Sequence, residues 1–160
     1  MCLKSITKKY ETPDPLERDA WKIFEIRTEK GLWHQKKITT PYMGTLIELD
    51  KWLEAEQAEC FYYPNLDNQT YKSGFHCFST EDAALKAIGL SGWPIRSSKG
   101  IKTGNWFTVV VVKIRIKDVT YEGFDGTGDD FLPYDIPNIV ANKMYIASEE
   151  IARAEQERKI

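Results

Sequence analysis

Four consecutive valines, Val109 to Val112, constrain this chain more than any other stretch. β-Branched side chains favour strands, and successive strand residues point to opposite faces. A run that is apolar at every position therefore predicts a central strand covered on both sides. The run lies inside Trp106 to Tyr121, whose next residues, Lys113-Ile114-Arg115-Ile116-Lys117, alternate charged and apolar. From there on, one face of the strand should meet water. With 160 residues, the chain is long enough to build one domain around such a strand without disulfide staples. The predicted class is α+β: a single domain spanning 1–160, with a mixed or antiparallel sheet and a few flanking helices.

The other elements follow from local patterns. Residues 1–20 read as an N-terminal arm, because Pro13 and Pro15 remove donors and restrict their neighbours. Trp21 to Thr28 is aromatic and β-branched enough for a strand, with a turn at Glu29-Lys30-Gly31 and a return strand over Leu32 to Thr39. Pro41 holds the next piece extended and sets Tyr42 on a defined surface. Leu46, Leu49, Trp52, Leu53 and Glu56 have helical spacing, which predicts a helix from about Asp50 towards Glu59. Cys60 to Tyr63 is compact and aromatic, and Pro64 to Asn68 has turn chemistry. Phe75-His76-Cys77-Phe78 reads as a strand feeding a helix over Thr80 to Ile88, with Ser79 or Thr80 as cap. Gly- and Ser-rich residues 90–105 form a connector. Glu122 to Asp130 is a glycine-rich acidic loop, read as a solvated turn because it lacks the spacing of an EF-hand. Pro133 and Pro137 predict irregular chain over 131–138. A last strand over Ile139 to Ala147 and a terminal helix over 148–160, capped by Ser148, complete the chain.

Composition narrows the function. The formal net charge is −2, which argues against an electrostatically driven nucleic-acid binder. Cys2, Cys60 and Cys77 cannot all pair within the chain and show no zinc spacing, so reduced thiols, no metal and a cytoplasmic setting are expected. No apolar run approaches the roughly 20 residues of a membrane span, and no apolar signal core follows the N-terminus. No cofactor motif is present and no catalytic set emerges.

The candidate binding site is the strand-to-helix junction. The first N–H groups of a helix lack intrahelical partners and carry partial positive charge, so the helix start near Ser79 and Thr80 is a candidate anion cradle. His76, Tyr71 and Lys72 lie nearby in sequence, Tyr42 offers a stacking wall, and Arg27 on the first strand offers a second cation. The expected ligand is a small anionic or nucleotide-like molecule. The ordinary alternative is that Ser79 only caps the helix and His76 only fills the sheet.

The opening Met-Cys-Leu, Thr40-Pro41-Tyr42, Gly74-Phe75-His76-Cys77-Phe78 and Ala141-Asn142-Lys143-Met144-Tyr145-Ile146 resemble a family of small uncharacterised phage and bacterial proteins. The resemblance covers most of the chain through short motifs. It implies a phage-type accessory protein, in the host cytoplasm if phage-encoded, and little chemistry. The ligand-binding reading adds counter-defence by sequestration of a small molecule as an expected role, and the polar terminal helix is read either as a frayed tail or as a contact in a homo-oligomer. A weaker resemblance, to ADP-ribosyltransferase-like folds, implies an enzyme using Arg27, Ser79-Thr80 and Glu122, though Glu-x-Glu is missing. A virion or host-protein interaction module is the third class.

Overall fold

In the computed structural model, residues 3–28, 36–40, 46–56, 59–61, 70–90, 98, 99, 106–125 and 136–157 are described. They form strands β1 (Leu3–Asp14), β2 (Arg18–Thr28), β3 (Lys36–Thr39), β4 (Trp52–Glu54), β5 (Glu59–Phe61), β6 (Thr70–Lys72) and β7 (Phe75–Phe78). Helix α1 (Glu81–Leu90), β8 (Ser98–Lys99), β9 (Trp106–Asp125), β10 (Ile136–Tyr145) and α2 (Ser148–Glu157) follow. Every pairing among the described residues is antiparallel, so the sheet is of the antiparallel kind and two helices flank it.

The 20-residue β9 is the spine. One edge is followed almost end to end by the N-terminal chain, from Leu3 opposite Asp125 to Thr28 opposite Trp106. The other edge carries β10, from Ile136 opposite Asp125 to Tyr145 opposite Arg115. β10 pairs onward with β7 and β4, and β7 returns to β2 at Trp21–Phe78. The circuit β2–β9–β10–β7 thus closes on itself.

The valine run behaves as its pattern demands. Val110 and Val112 join Ala20, Phe24, Ile114, Ile116 and Met144 in a core that α2 covers with Ile151 and Ala154. Val109, with half-buried Val111, faces the other way, onto Ile23, Phe78 and the α1 residues Ala83, Ala84, Ala87 and Ile88. Each fully buried aliphatic side chain stabilises the fold by about 1.5–3 kcal/mol. Beyond α1, that second face is left open, and there the strand carries Lys113, Arg115 and Lys117.

Five readings are corrected. Glu122 to Asp125, read as the start of the acidic loop, form the end of β9 and pair with both β1 and β10. Residues 3–14 are an edge strand rather than an arm. Pro13 and Pro15 interrupt the N-terminal chain opposite Asp118, itself at φ 56°, without ending its course along β9. The segment expected to be helical from Asp50 holds strand β4. Ile47, Leu49 and Leu53 pack inward, Leu46 is exposed, and Asp50 takes a left-handed φ of 59° that a helix interior does not tolerate. Pro137 lies within β10 rather than in irregular chain. Its carbonyl accepts from Ser79 N–H on the edge just beyond β7, so its missing donor breaks no rung there. Ser148 is the first residue of α2 and not its cap: Asp50 Oδ1 accepts the Ser148 N–H at 2.9 Å from across the fold.

Candidate functional site

The junction after β7 is built for stability. Thr80 Oγ1 accepts the Ala83 N–H at 3.1 Å and its carbonyl accepts from Ala84, which makes Thr80 the N-cap of α1. Ser79 is spent differently, its N–H donating to Pro137 O. The first turn of α1 carries Glu81 and Asp82, both exposed, so carboxylates already occupy the positive end of the helix.

Tyr71 and His76 do come together. The Tyr71 hydroxyl accepts the Leu3 N–H at 2.9 Å and sits 3.3 Å from His76 Nε2, with the two rings edge to face. Leu3, Tyr71 and Val140 form a small core of their own. His76 is buried, and its Nδ1 has no hydrogen-bond partner among the described residues. Burial, with the neighbouring Lys22 ammonium, pushes its pKa down to about 3, so the ring stays neutral. Lys22 Nζ donates to the His76 carbonyl at 2.6 Å. Cys77 is fully buried and its thiol is pushed up to about 11.

The remaining expected site residues are dispersed. Lys72 is exposed on β6, opposite Glu59. Arg27 pairs with Glu25 at 2.8 Å, and its register partner Phe107 lies at the opposite end of β9 from Glu122. Tyr42 lies outside the described residues. Glu122 accepts from Tyr10 Oη at 2.6 Å and from Arg18 at 2.9 Å. Arg18 also reaches Asp14 at 2.5 Å. Arg18 and Tyr10 hold the Glu122 carboxyl below its ordinary range against the opposing effect of burial, and the cluster ties β1 to β9.

A more open arrangement lies where α1 no longer covers β9. A cavity of about 390 Å³ is lined by Asp19, Lys113, Ile114, Arg115 and Tyr145 on the sheet and by Ala147, Glu149 and Glu150 around the start of α2. Sheet register places its parts. Arg115 is opposite Asp19 on β2 and Tyr145 on β10, and Tyr145 is opposite Trp52 on β4. The Arg115 guanidinium carbon lies 4.3 Å from the Tyr145 ring centre and 5.9 Å from that of Trp52. Lys117 Nζ sits 4.1 Å over Trp52, and the two rings are 5.7 Å apart at 54°.

Most of these cations are held lightly. Lys113 pairs with Asp19 at 2.7 Å, Arg115 with Glu17 at 2.8 Å, and Lys143 reaches Asp118 at 3.3 Å and Glu54 at 3.6 Å. Lys117 has no carboxylate partner among the described residues. Exposed ion pairs contribute about 0–1 kcal/mol and exposed cation–π contacts about 0.5–1 kcal/mol. A base stacked on an aromatic ring gains about 1–3 kcal/mol, so an incoming ring can displace these cations and free them for an anion.

Reading the sequence for a site missed this one. The Lys113–Lys117 alternation marked a wet face, but Trp52 was assigned to a helix, and only register sets it beside Tyr145.

Fold and cavity together define an antiparallel-sheet domain with a cation-and-ring groove on its open face. No family model matches the chain, and no curated protein or solved structure matches it. No helix among the described residues is long and apolar enough to cross a membrane.

Proposed function

We propose that this chain binds a small nucleotide-like ligand without turning it over, and that the groove between β9, β10 and the start of α2 is where the ligand sits. One observation carries the reading: at a cavity of about 390 Å³, a guanidinium lies 4.3 Å from an exposed-side tyrosine ring, with a lysine beside them and carboxylates across from them. The volume falls in the usual range for small-molecule sites, roughly 300–1,000 Å³. Each wall suits one part of a nucleotide. Tyr145 offers a face to the base, Arg115 and Lys113 offer donors to a phosphate, and Glu149 or Glu150 offers acceptors to an exocyclic amine.

Holding rather than reacting is favoured by the chemistry of the interior. Cys77 and His76, the most reactive side chains of the β7 strand, are buried, one protonated and one neutral. In a phage-type accessory protein, such binding would act by sequestration, which fits a counter-defence role. The composition of the same patch favours a second reading. Trp, Tyr and Arg are the residues enriched at protein-interaction hot spots, so Trp52, Tyr145 and Arg115 would also suit a protein partner.

Calorimetric titration with AMP, GMP and ATP tests the proposal. Saturable binding should weaken at least about ten-fold in Arg115→Ala and in Tyr145→Ala, and should survive in Ser79→Ala and Lys72→Ala. Loss of binding in the latter pair, with Arg115→Ala unaffected, would return the site to the α1 junction. No binding by any nucleotide would leave the protein-partner reading.

A further inference from the structure

Building on that ligand reading, we propose that the open face holds two nucleotide subsites and that the ligand is a dinucleotide. The groove contains one ring and its cations, Tyr145 with Arg115 and Lys113. One strand further across the sheet, the same combination is repeated outside the groove: Trp52 with Lys117.

The geometry relates the two units. Tyr145 and Trp52 are direct register partners on neighbouring strands, and Lys117 is two residues beyond Arg115 on β9, on the same face. Their ring centres are 5.7 Å apart, and their planes are inclined by 54°. Rings so inclined do not present one continuous stacking surface. They suit two bases splayed apart, each on its own ring, with the linking phosphate near the cations between them. A mononucleotide would fill the groove and leave Trp52 and Lys117 unused.

Charge sets the upper limit. Lys113, Arg115 and Lys143 each already face a carboxylate, in Asp19, Glu17 and Asp118. Glu54 closes the β4 side, 3.6 Å from Lys143. A surface with this balance neutralises one or two phosphates. Among the described residues of this face only Lys117 has no carboxylate partner, short of the row of uncompensated cations that a polynucleotide track requires.

The experiment compares AMP, the dinucleotide ApA and a long oligoadenylate on the wild-type chain and on Trp52→Ala, Lys117→Ala and Tyr145→Ala, each checked for folding by its melting curve. The wild type should bind ApA about ten-fold more tightly than AMP, the fold-change of one added base–aromatic stack. Trp52→Ala and Lys117→Ala should each remove most of that advantage while AMP affinity stays within about two-fold, and Tyr145→Ala should weaken both ligands. Should Trp52→Ala unfold, Lys117→Ala alone decides. Equal wild-type affinity for AMP and ApA overturns the second subsite but leaves the first. Trp52→Ala or Lys117→Ala weakening AMP as much as ApA overturns it too. Oligoadenylate that binds far more tightly than ApA, with steep salt dependence, points to a polymer track and overturns the dinucleotide. Binding of none of the three removes the ligand reading beneath it as well.

Discussion

Lowering the pH from 7 to 5 should destabilise this protein through one residue, His76. Its ring is buried against Tyr71, with the Lys22 ammonium nearby, and its pKa is pushed from 6.5 down to about 3. The unfolded chain therefore takes up a proton as the pH falls through 6.5, whereas the folded chain does not until about 3. Stability due to the neutral ring is fully present above 6.5 and is lost progressively below it, at up to about 1.4 kcal/mol per pH unit. Between pH 7 and pH 5 the loss amounts to about 2 kcal/mol. The carboxyls of Asp14 and Glu122 are held low, below ordinary values of 3.8 and 4.5, so their contribution is lost only at still lower pH. Urea denaturation at several pH values across this window measures the effect. His76→Gln, which removes the titration, should flatten the curve, and any contribution from His34 would be common to both proteins. A wild-type stability that is constant to within about 0.5 kcal/mol, or an unchanged slope in His76→Gln, would refute the reasoning.

Thr80→Ala should cost about 1 kcal/mol through loss of the α1 cap, and Ser79→Ala less than about 0.5 kcal/mol; urea midpoints would rank the two, and the reverse order would disprove the assignment. Gly123→Ala should destabilise by about 3 kcal/mol, since its Cβ would lie 1.9 Å from the Ser5 carbonyl oxygen and would force β1 off β9 together with buried Leu3. Amide exchange at Leu3 to Ile6 should quicken in that variant, and unchanged protection would contradict the contact. Those amides of Val109 to Val112 that point towards β2 should exchange among the slowest in the molecule, because β2 borders them and the run is packed on both faces; exchange as fast as at the chain ends would rule out that pairing. Native alkylation should leave Cys77 unmodified until the chain is denatured, as expected of a buried thiol held at about 11.

Local order along the chain accounts for much of the fold. Four valines in a row can be accommodated only by a strand with cover on both sides, and the alternation after them shows where the cover ends. Cap chemistry and apolar spacing marked α1, and the acidic first turn of Glu149 and Glu150 marked α2 although its expected cap was wrong, because helices are specified by neighbours a few residues apart. The same information failed where two local solutions were open. Leu46, Leu49, Trp52 and Leu53 satisfy helical spacing, yet β10 needs a partner along its outer edge, and pairing with β4 supplies it. Ser79 and Thr80 are both good caps, and the choice fell to Thr80 when the Ser79 amide was drawn to Pro137. Prolines near the N-terminus suggested an arm, since nothing local shows that the long edge of β9 was waiting for a strand. The groove was the least accessible of all. Alternation identifies which side chains face water, but not what stands next to them. Arg115, Tyr145 and Trp52 come from three strands far apart in the chain, and only the antiparallel register of β9, β10 and β4 brings a guanidinium and two rings into one row.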